Sequence, residues 1–238
     1  MKVYVDNNVL IDYEEGRVAL PSNNAIQYQY SYVHIDELIE SGERMNSIIK
    51  RRFDAINTLT KGHFVQHDEN YELESIIVSP QEVFSICMQP SRIKNMERLK
   101  EVSKNFALGC DRNRLIEKLE INVKELNNYS VEKLSSKYGR VIVDYVISSA
   151  ITIQEGFQSF FNILDWMGFW RDKYKERSNM ARAYDAGHAY FATYCDYFVT
   201  NDKRTMNKAN VVYQALGYKT VAISCMDFMK LEDLMLNN

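Results

Sequence analysis

A chain of 238 residues, of which 46% are hydrophobic and 26% charged, has the composition of a folded globular protein. The formal net charge of −3 neither indicates nor excludes a nucleic-acid binder, because an acidic site and basic patches cancel in the sum. The four cysteines show no C-x-x-C spacing, which argues against a zinc site or a disulfide framework. No apolar run approaches the roughly 18 residues of a membrane span, so we expect a cytoplasmic protein without a membrane partner.

The chain begins with two predicted strands and a helix. Val3–Val5 is a short apolar run, which indicates a buried strand, and Asp6 follows it directly. Residues 26–32 alternate between apolar or aromatic and polar side chains, which is the period of a second strand. A helix is predicted over residues 33–40, and Glu37 therefore lies just past the end of that strand.

The middle of the chain, residues 42–178, has the pattern of a helical module. Apolar residues recur at intervals of three and four through residues 45–59, which predicts a helix that ends near Gly62. An aromatic run from Phe157 to Trp170 predicts another helix, and we expect its aromatic side chains to lie in the core of the helical module. Residues 42–178 are therefore predicted to form a large all-helical insertion packed on the rest of the protein.

The last block, residues 179–238, returns to α/β alternation. A helix carrying Asp185 leads to a strand at 196–200, and Asp202 follows that strand. The remaining elements are predicted as a helix ending at Gly217, a strand at 220–223 and a helix at 226–235. Together with residues 1–41, this block predicts an α/β fold with a small parallel sheet flanked by helices.

Acidic side chains are expected to converge at one edge of this sheet. Asp6 and Asp202 follow strands, and α/β sheets bind their ligands beyond the carboxyl ends of the strands. Close carboxylates raise one another's pKa unless a cation neutralises them, and hard divalent ions prefer oxygen ligands. Taken singly, each aspartate is better interpreted as a helix cap. Together with Asp185, the two favour a metal site.

These residues resemble the motifs of PIN-domain metal-dependent ribonucleases, a fold shared by many bacterial toxin nucleases. YVDNNVLID is similar to the family's strand followed by D-x-N-V-L, SYVHIDELIE to its second motif, and DAGHAYFATYCDYFVTND to its third and fourth motifs. The matching positions are Asp6, Asn8, Val9, Leu10, Ser31, His34, Glu37, Leu38, Asp185, Thr200 and Asp202. The chain departs from the family in the long interval between Glu37 and Asp185, and it lacks the further acid that some members carry after Asp202.

The resemblance implies a PIN-like fold and a Mg²⁺- or Mn²⁺-dependent endoribonuclease, of the kind found among toxins and defence nucleases. Such an enzyme hydrolyses RNA to leave a 5′-phosphate and a 3′-hydroxyl. The implied site residues are, as metal ligands and catalytic groups, Asp6, Glu37, Asp185 and Asp202; as orienting groups, Asn8 and Thr200; and as phosphate contacts, Lys203, Arg204 and Arg182. RNA is thus the expected partner, while an inhibitor or regulatory protein and self-association stay open.

Two other functions remain open at this point. A nuclease acting on DNA would use the same metal chemistry, because nothing in the sequence reads a 2′-hydroxyl. A catalytically inactive scaffold that binds RNA or protein is the other alternative, since the further acid after Asp202 is missing. His34 and His188 are interpreted as hydrogen-bonded structural residues, because metal-dependent hydrolysis does not need them as bases.

Overall fold

The computed structural model describes residues 1–40, 47–90, 129–147, 152–170 and 176–236, together with Asn113, Ile116, Glu117, Glu120 and Asn122. The chain divides into two compact units. The first unit comprises Met1–Ile93, Phe191–Met206 and Thr220–Asn238, and the second comprises Lys94–Tyr190 and Asn207–Lys219. This division differs from the predicted one: the chain as far as Ile93 belongs to the first unit, and residues 179–190 and 207–219 of the predicted α/β core belong to the second.

The secondary structure alternates between strands and helices at both ends of the chain. The elements in its first part are β1 (Lys2–Val5), α1 (Asn7–Glu14), β2 (Gln27–Gln29), α2 (Tyr32–Glu40), α3 (Ser47–Thr60), β3 (His63–His67), β4 (Leu73–Ile77) and α4 (Pro80–Cys87). Those that follow are α5 (Val131–Leu134), a π-helix (Ser135–Gly139), α6 (Arg140–Ile147), α7 (Ile153–Met167), α8 (Glu176–Ala192), β5 (Tyr197–Val199), α9 (Lys203–Leu216), β6 (Val221–Ile223) and α10 (Cys225–Leu236).

A four-stranded sheet in the order β2-β1-β5-β6 forms the centre of the first unit. All three strand pairs are parallel: Val3 lies opposite Tyr28 on one side and Tyr197 on the other, and Val199 lies opposite Ile223. In the inner strand β1, the residues Val3, Tyr4 and Val5 are apolar or aromatic and almost fully buried, as parallel strands between helices are. The predicted α/β class, with a small parallel sheet flanked by helices, is confirmed.

Parallel pairing gives the sheet two chemically different edges. At the carboxyl edge, β1 ends at Val5, β5 at Val199 and β6 at Ile223. At the amino edge, β1 begins at Lys2 and β2 at Gln27. Loops at the carboxyl edge are where α/β proteins place their ligands, so the residues after Val5 and Val199 decide what this unit can bind.

The prediction of an all-helical insertion is wrong for residues 63–77, which form the antiparallel hairpin β3–β4. At its turn, the Asp68 carboxylate accepts backbone N–H bonds from Asn70 at 2.8 Å and Glu72 at 2.9 Å. These two bonds hold the pKa of Asp68 below its usual value. The turn therefore depends on a local Asp motif that the helical interpretation of this region overlooked.

The hairpin also joins the end of β2. The Tyr30 N–H donates to the His63 carbonyl at 3.0 Å, and the Val65 N–H donates to the Tyr30 carbonyl at 2.8 Å. Whether such a short segment forms a strand depends on these hydrogen-bond partners. They lie elsewhere in the sequence, so the local pattern of apolar residues does not predict the strand. Helix α3 ends at Thr60, two residues before Gly62 and thus near its predicted end.

The second unit contains the helix that the aromatic run predicted. Thr152 and Glu155 form a capping box at its start, and Gly168, at φ +96°, ends it. Its buried residues include the aromatic Phe157, Phe160, Phe161 and Trp166. These aromatic residues form the core of this part of the unit, as predicted.

A buried ion cluster, formed by Asp165, Arg182 and Lys208, lies in the second unit. The three residues are 0%, 4% and 1% exposed. Lys208 Nζ is 2.5 Å from Asp165 Oδ1, and Arg182 Nη1 is 3.4 Å from Asp165 Oδ2. A carboxylate this deeply buried needs such partners, because its charge is otherwise costly to remove from water.

Two observations bear on the expectations from composition. The described cysteines, Cys87, Cys195 and Cys225, are all buried thiols. Among the helices of the described ranges, none combines the length and the apolar character that a membrane crossing requires.

Candidate functional site

Asp6 lies at the carboxyl edge, where β1 passes into α1. Its Oδ1 accepts the Asn7 N–H at 2.7 Å and so caps α1, while its Oδ2 accepts the Thr200 hydroxyl at 2.7 Å. The Asp6 N–H donates to the Val199 carbonyl at 2.9 Å, which continues the pairing of β1 with β5. The carboxylate is 3% exposed and is held in one orientation by these contacts.

Thr200 connects Asp6 to Asp202. Its buried hydroxyl donates to Asp6 and accepts the Asp202 N–H at 3.1 Å. Asp202 Oδ1 accepts the N–H groups of Arg204 at 2.7 Å and Thr205 at 3.2 Å, and thereby caps the start of α9. Both of these bonds end on Oδ1, which leaves Oδ2 available for a ligand. The two aspartates that follow the central strands therefore lie within two hydrogen bonds of each other.

Asn7 connects Asp6 to a second carboxylate, Glu37 on α2. The side-chain amide of Asn7 donates to Glu37 Oε2, while its backbone N–H donates to Asp6. The Asn7 Oδ1 is shielded from solvent and has no hydrogen-bond partner in the described part of the chain. Burial of an amide oxygen costs free energy unless a hydrogen-bond donor or a cation interacts with it.

Tyr4 provides an independent sign that Asp6 and Glu37 share one environment. Burial raises the pKa of the Tyr4 phenol well above its usual value, and the charges of Asp6 and Glu37 raise it further. The Ser31 hydroxyl, 2.6 Å from the phenol oxygen, acts in the opposite direction. Both carboxylates therefore act on the same buried group beneath the carboxyl edge.

His34 stabilises the layer under the site. Its Nε2 lies 2.8 Å from the Val5 carbonyl, which can only accept, so this nitrogen carries a proton. The Ser31 N–H donates to Nδ1 at 3.2 Å, which assigns the fully buried ring as neutral. His34 is thus a structural residue that ties α2 to the end of β1.

The other predicted site residues are placed as follows. Asp185 is partly exposed on α8 and belongs to the second unit, and its role at the site stays a prediction. Arg182 was expected to contact nucleic acid, but it is buried against Asp165, because the carboxylate in that core needs a cation. Lys203 and Arg204 are exposed in the first turn of α9, directly after Asp202.

The resemblance implies Asn8 as an orienting residue, and that role stays a prediction, whereas the observed contact with Glu37 is made by Asn7. Asn8, which matches the motif, is exposed on α1, whereas the preceding Asn7 reaches Glu37. Successive helical residues point in directions about 100° apart, so only one of the two faces α2. The signal that would have found Asn7 is its position next to the capping Asp6, together with the predicted nearness of Glu37.

The donor set of the carboxyl edge consists of oxygen atoms. It comprises the carboxylates of Asp6, Glu37 and Asp202 and the Asn7 Oδ1, and these are the ligand types that Mg²⁺ and Mn²⁺ take. Within the described ranges, no three His, Cys, Asp or Glu side chains are close enough together to hold a metal ion. A Mg²⁺ site can be built with fewer carboxylates, because this ion retains several of its waters.

Models of protein families, curated proteins and solved structures were all compared with the chain, and none of them matches it. What the carboxyl edge can do is therefore inferred from its side chains and their contacts.

Proposed function

We propose that this protein is a metal-dependent nuclease that hydrolyses RNA phosphodiester bonds at the carboxyl edge of its sheet. The observation that carries the proposal is the hydrogen-bonded series Glu37–Asn7–Asp6–Thr200–Asp202. It links the carboxylates of Glu37 and Asp6 through Asn7, and it links Asp6 through the Thr200 hydroxyl to the backbone N–H of Asp202. A divalent cation bound among these side chains would be held by the opposite charge of the carboxylates.

The residues at this edge suit Mg²⁺ or Mn²⁺. One or two of the carboxylates of Asp6, Glu37 and Asp202 would bind the ion directly and the others would hold its waters, while the Asn7 Oδ1 would find in the ion the partner that it lacks within the described chain. When bound, such an ion supplies an activated water and neutralises charge on the phosphate. The Thr200 hydroxyl and the Asn7 N–H hold the Asp6 carboxylate in place, as outer groups do for metal ligands.

Two basic residues beside Asp202 suit a phosphate substrate. Lys203 and Arg204 lie in the first turn of α9, where the helix dipole disfavours a cation by about 0.3–1 kcal/mol. Contact with nucleic-acid phosphates would offset that cost. RNA as the substrate, and Asp185 as a fourth acidic residue, follow from the resemblance to PIN-domain ribonucleases.

The proposal is tested by incubating the protein with labelled RNA, and with single-stranded DNA of the same sequence, in Mg²⁺, Mn²⁺ or EDTA. We expect cleavage of RNA that requires the ion and leaves a 5′-phosphate. Asp6→Asn and Asp202→Asn should each lower the rate at least about 100-fold. The matched control is Asp54→Asn, which removes an exposed carboxylate on α3. Cleavage at the wild-type rate by both site variants would reject the proposal, and preferential cleavage of DNA would correct its substrate.

A second candidate function is a non-catalytic scaffold that binds nucleic acid through the same surface. It is favoured by the capping roles of Asp6 and Asp202, which a protein would keep for stability alone. Calorimetric titration with Mn²⁺ separates the two functions. If the wild type binds no Mn²⁺ at millimolar concentration and Asp6→Asn still binds RNA, the scaffold is favoured. If the wild type binds Mn²⁺ and Asp6→Asn does not, the scaffold is rejected.

A further inference from the structure

A cavity of about 350 Å³ lies at the amino edge of the sheet, at the other end of the strands from Asp6. It is bounded by the first residue of β2, Gln27, by the end of α3, and by Lys61 and His63. Among the described residues that line it, none is acidic. Lys61 therefore gives the cavity a positive charge that no carboxylate of this lining cancels.

The backbone holds Lys61 in an unusual conformation. Its φ of +52° lies in the left-handed region, and Gly62 follows at φ +78°. The Lys61 N–H donates to the Asn57 carbonyl at 2.9 Å, and the Gly62 carbonyl accepts the Val78 N–H at 3.0 Å, so both residues are fixed. Glycine or asparagine is the usual residue where a helix ends in this way. A lysine kept there at a conformational cost points to a use for its side chain.

His63 adds a second group that can interact with an anion. The Gln27 Nε2 lies 3.0 Å from one ring nitrogen of His63 and 2.9 Å from the other, which holds the ring against β2. Burial and the charge of Lys61 both lower the pKa of His63. An anion beside the ring would oppose both effects, because it stabilises the imidazolium form.

The rest of the lining is partly apolar. Tyr28 and Leu59 are buried, and Ile26 is partly buried. The Tyr28 hydroxyl donates to the Pro21 carbonyl at 2.9 Å, so this phenol oxygen is already engaged. A ligand of the cavity would therefore meet both a positive charge and apolar surface.

We propose that this cavity binds a small organic anion, whose phosphate or carboxylate pairs with Lys61 and His63 and whose apolar body packs on Ile26, Tyr28 and Leu59. The site is separate from the carboxyl edge and does not depend on the proposed nuclease activity. Binding should therefore be unchanged in Asp6→Asn.

The test is calorimetric titration of the full chain with phenyl phosphate, benzoate, inorganic phosphate and phenol. We expect phenyl phosphate or benzoate to bind more tightly than phenol, and the tighter of the two identifies the anionic group. The key variant is Lys61→Gly, which removes the charge and relieves the left-handed strain, so it should fold at least as stably as the wild type. It should weaken binding about tenfold, as loss of a charged hydrogen bond does. Lys50→Ala, on the exposed face of α3, is the control and should bind as the wild type does.

A second readout comes from the NMR signals of the His63 ring. The anion should raise the pKa of His63 in the wild type, and Lys61→Gly should need about tenfold more anion for the same rise. The proposal is overturned if no anion binds at millimolar concentration. It is equally overturned if phenol binds as tightly as both organic anions, or if Lys61→Gly binds them as the wild type does.

Discussion

The carboxyl edge and the buried ion cluster of Asp165, Arg182 and Lys208 handle negative charge in different ways. In the buried cluster a single, fully buried carboxylate meets two cations. At the carboxyl edge the donors are neutral: Asn7 bonds to both Asp6 and Glu37, and the hydroxyl of Thr200 donates to Asp6. Neutral donors orient a carboxylate but leave its charge available. We infer that the buried ion cluster serves folding, whereas under the proposed function the carboxylates of the carboxyl edge serve a ligand.

The largest expected effect is on folding, from removal of the buried carboxylate. Asp165→Asn should lower the free energy of unfolding by about 3–5 kcal/mol, because two buried cations lose the charge that they face. Both tryptophans of the chain, Trp166 and Trp170, lie in the second unit, so their fluorescence during urea unfolding reports the change. The exposed Asp144→Asn is the control and should change stability by less than about 0.5 kcal/mol. If Asp165→Asn and Asp144→Asn changed the free energy of unfolding equally, the buried ion cluster would not serve folding in the way inferred.

The next effect is stabilisation by a divalent ion at the carboxyl edge. Mn²⁺ at a hundredfold above its Kd should stabilise the wild type by about 2.7 kcal/mol and raise its Tm by several degrees. Asp6→Asn should abolish this shift and retain the helix cap, since asparagine caps helices as well as aspartate does. The exposed Asp54→Asn should shift as the wild type does. An equal shift in Asp6→Asn would show that the ion binds elsewhere.

A smaller effect distinguishes the two neighbouring asparagines at the start of α1. Asn7→Ala should weaken Mn²⁺ binding about 10- to 100-fold, because Glu37 loses the amide that orients it. Asn8→Ala should leave the affinity nearly unchanged, since its side chain is exposed. The two substitutions have similar effects on helix propensity, so calorimetry compares the side chains directly. A larger loss of affinity in Asn8→Ala would favour the residue that the motif predicts.

The smallest effect concerns His63 and His67 of the hairpin. Both side chains are only partly buried. Burial lowers the pKa of both imidazoles below the unfolded value of 6.5. Their contribution to stability is therefore complete above about pH 6.5 and is lost as the pH falls toward the lower folded pKa. Urea midpoints measured across this range should decline less steeply in His63→Gln/His67→Gln than in the wild type. Parallel declines would mean that other groups control the pH dependence.

Several elements follow from local sequence alone. The apolar runs at Val3–Val5 and Tyr197–Val199 form strands as predicted, and α9 ends before Gly217, which has φ +77°. These features depend on the side chains of a few consecutive residues, which is why a local pattern identifies them. The positions of Asp6 and Asp202 after their strands could be predicted for the same reason.

Other features depend on contacts between distant residues. The hairpin at 63–77 needs its internal pairing and the end of β2, and Arg182 is buried because a helix 17 residues earlier carries Asp165. Neither partner is visible in the local pattern of the segment itself. Arg182 was therefore predicted to contact nucleic acid at the surface, although its side chain is buried.

By itself, the sequence determined the α/β class, the parallel strands and the aspartates that follow two of them, because hydrophobic periodicity and helix capping act over a few residues. Only the tertiary structure decided that Asn7, and not Asn8, links Asp6 to Glu37. That choice depends on the direction in which each side chain leaves α1 and on the position of α2, whose contacting residue lies 30 positions away. Distances across the chain are set by packing, and packing is a property of the whole unit.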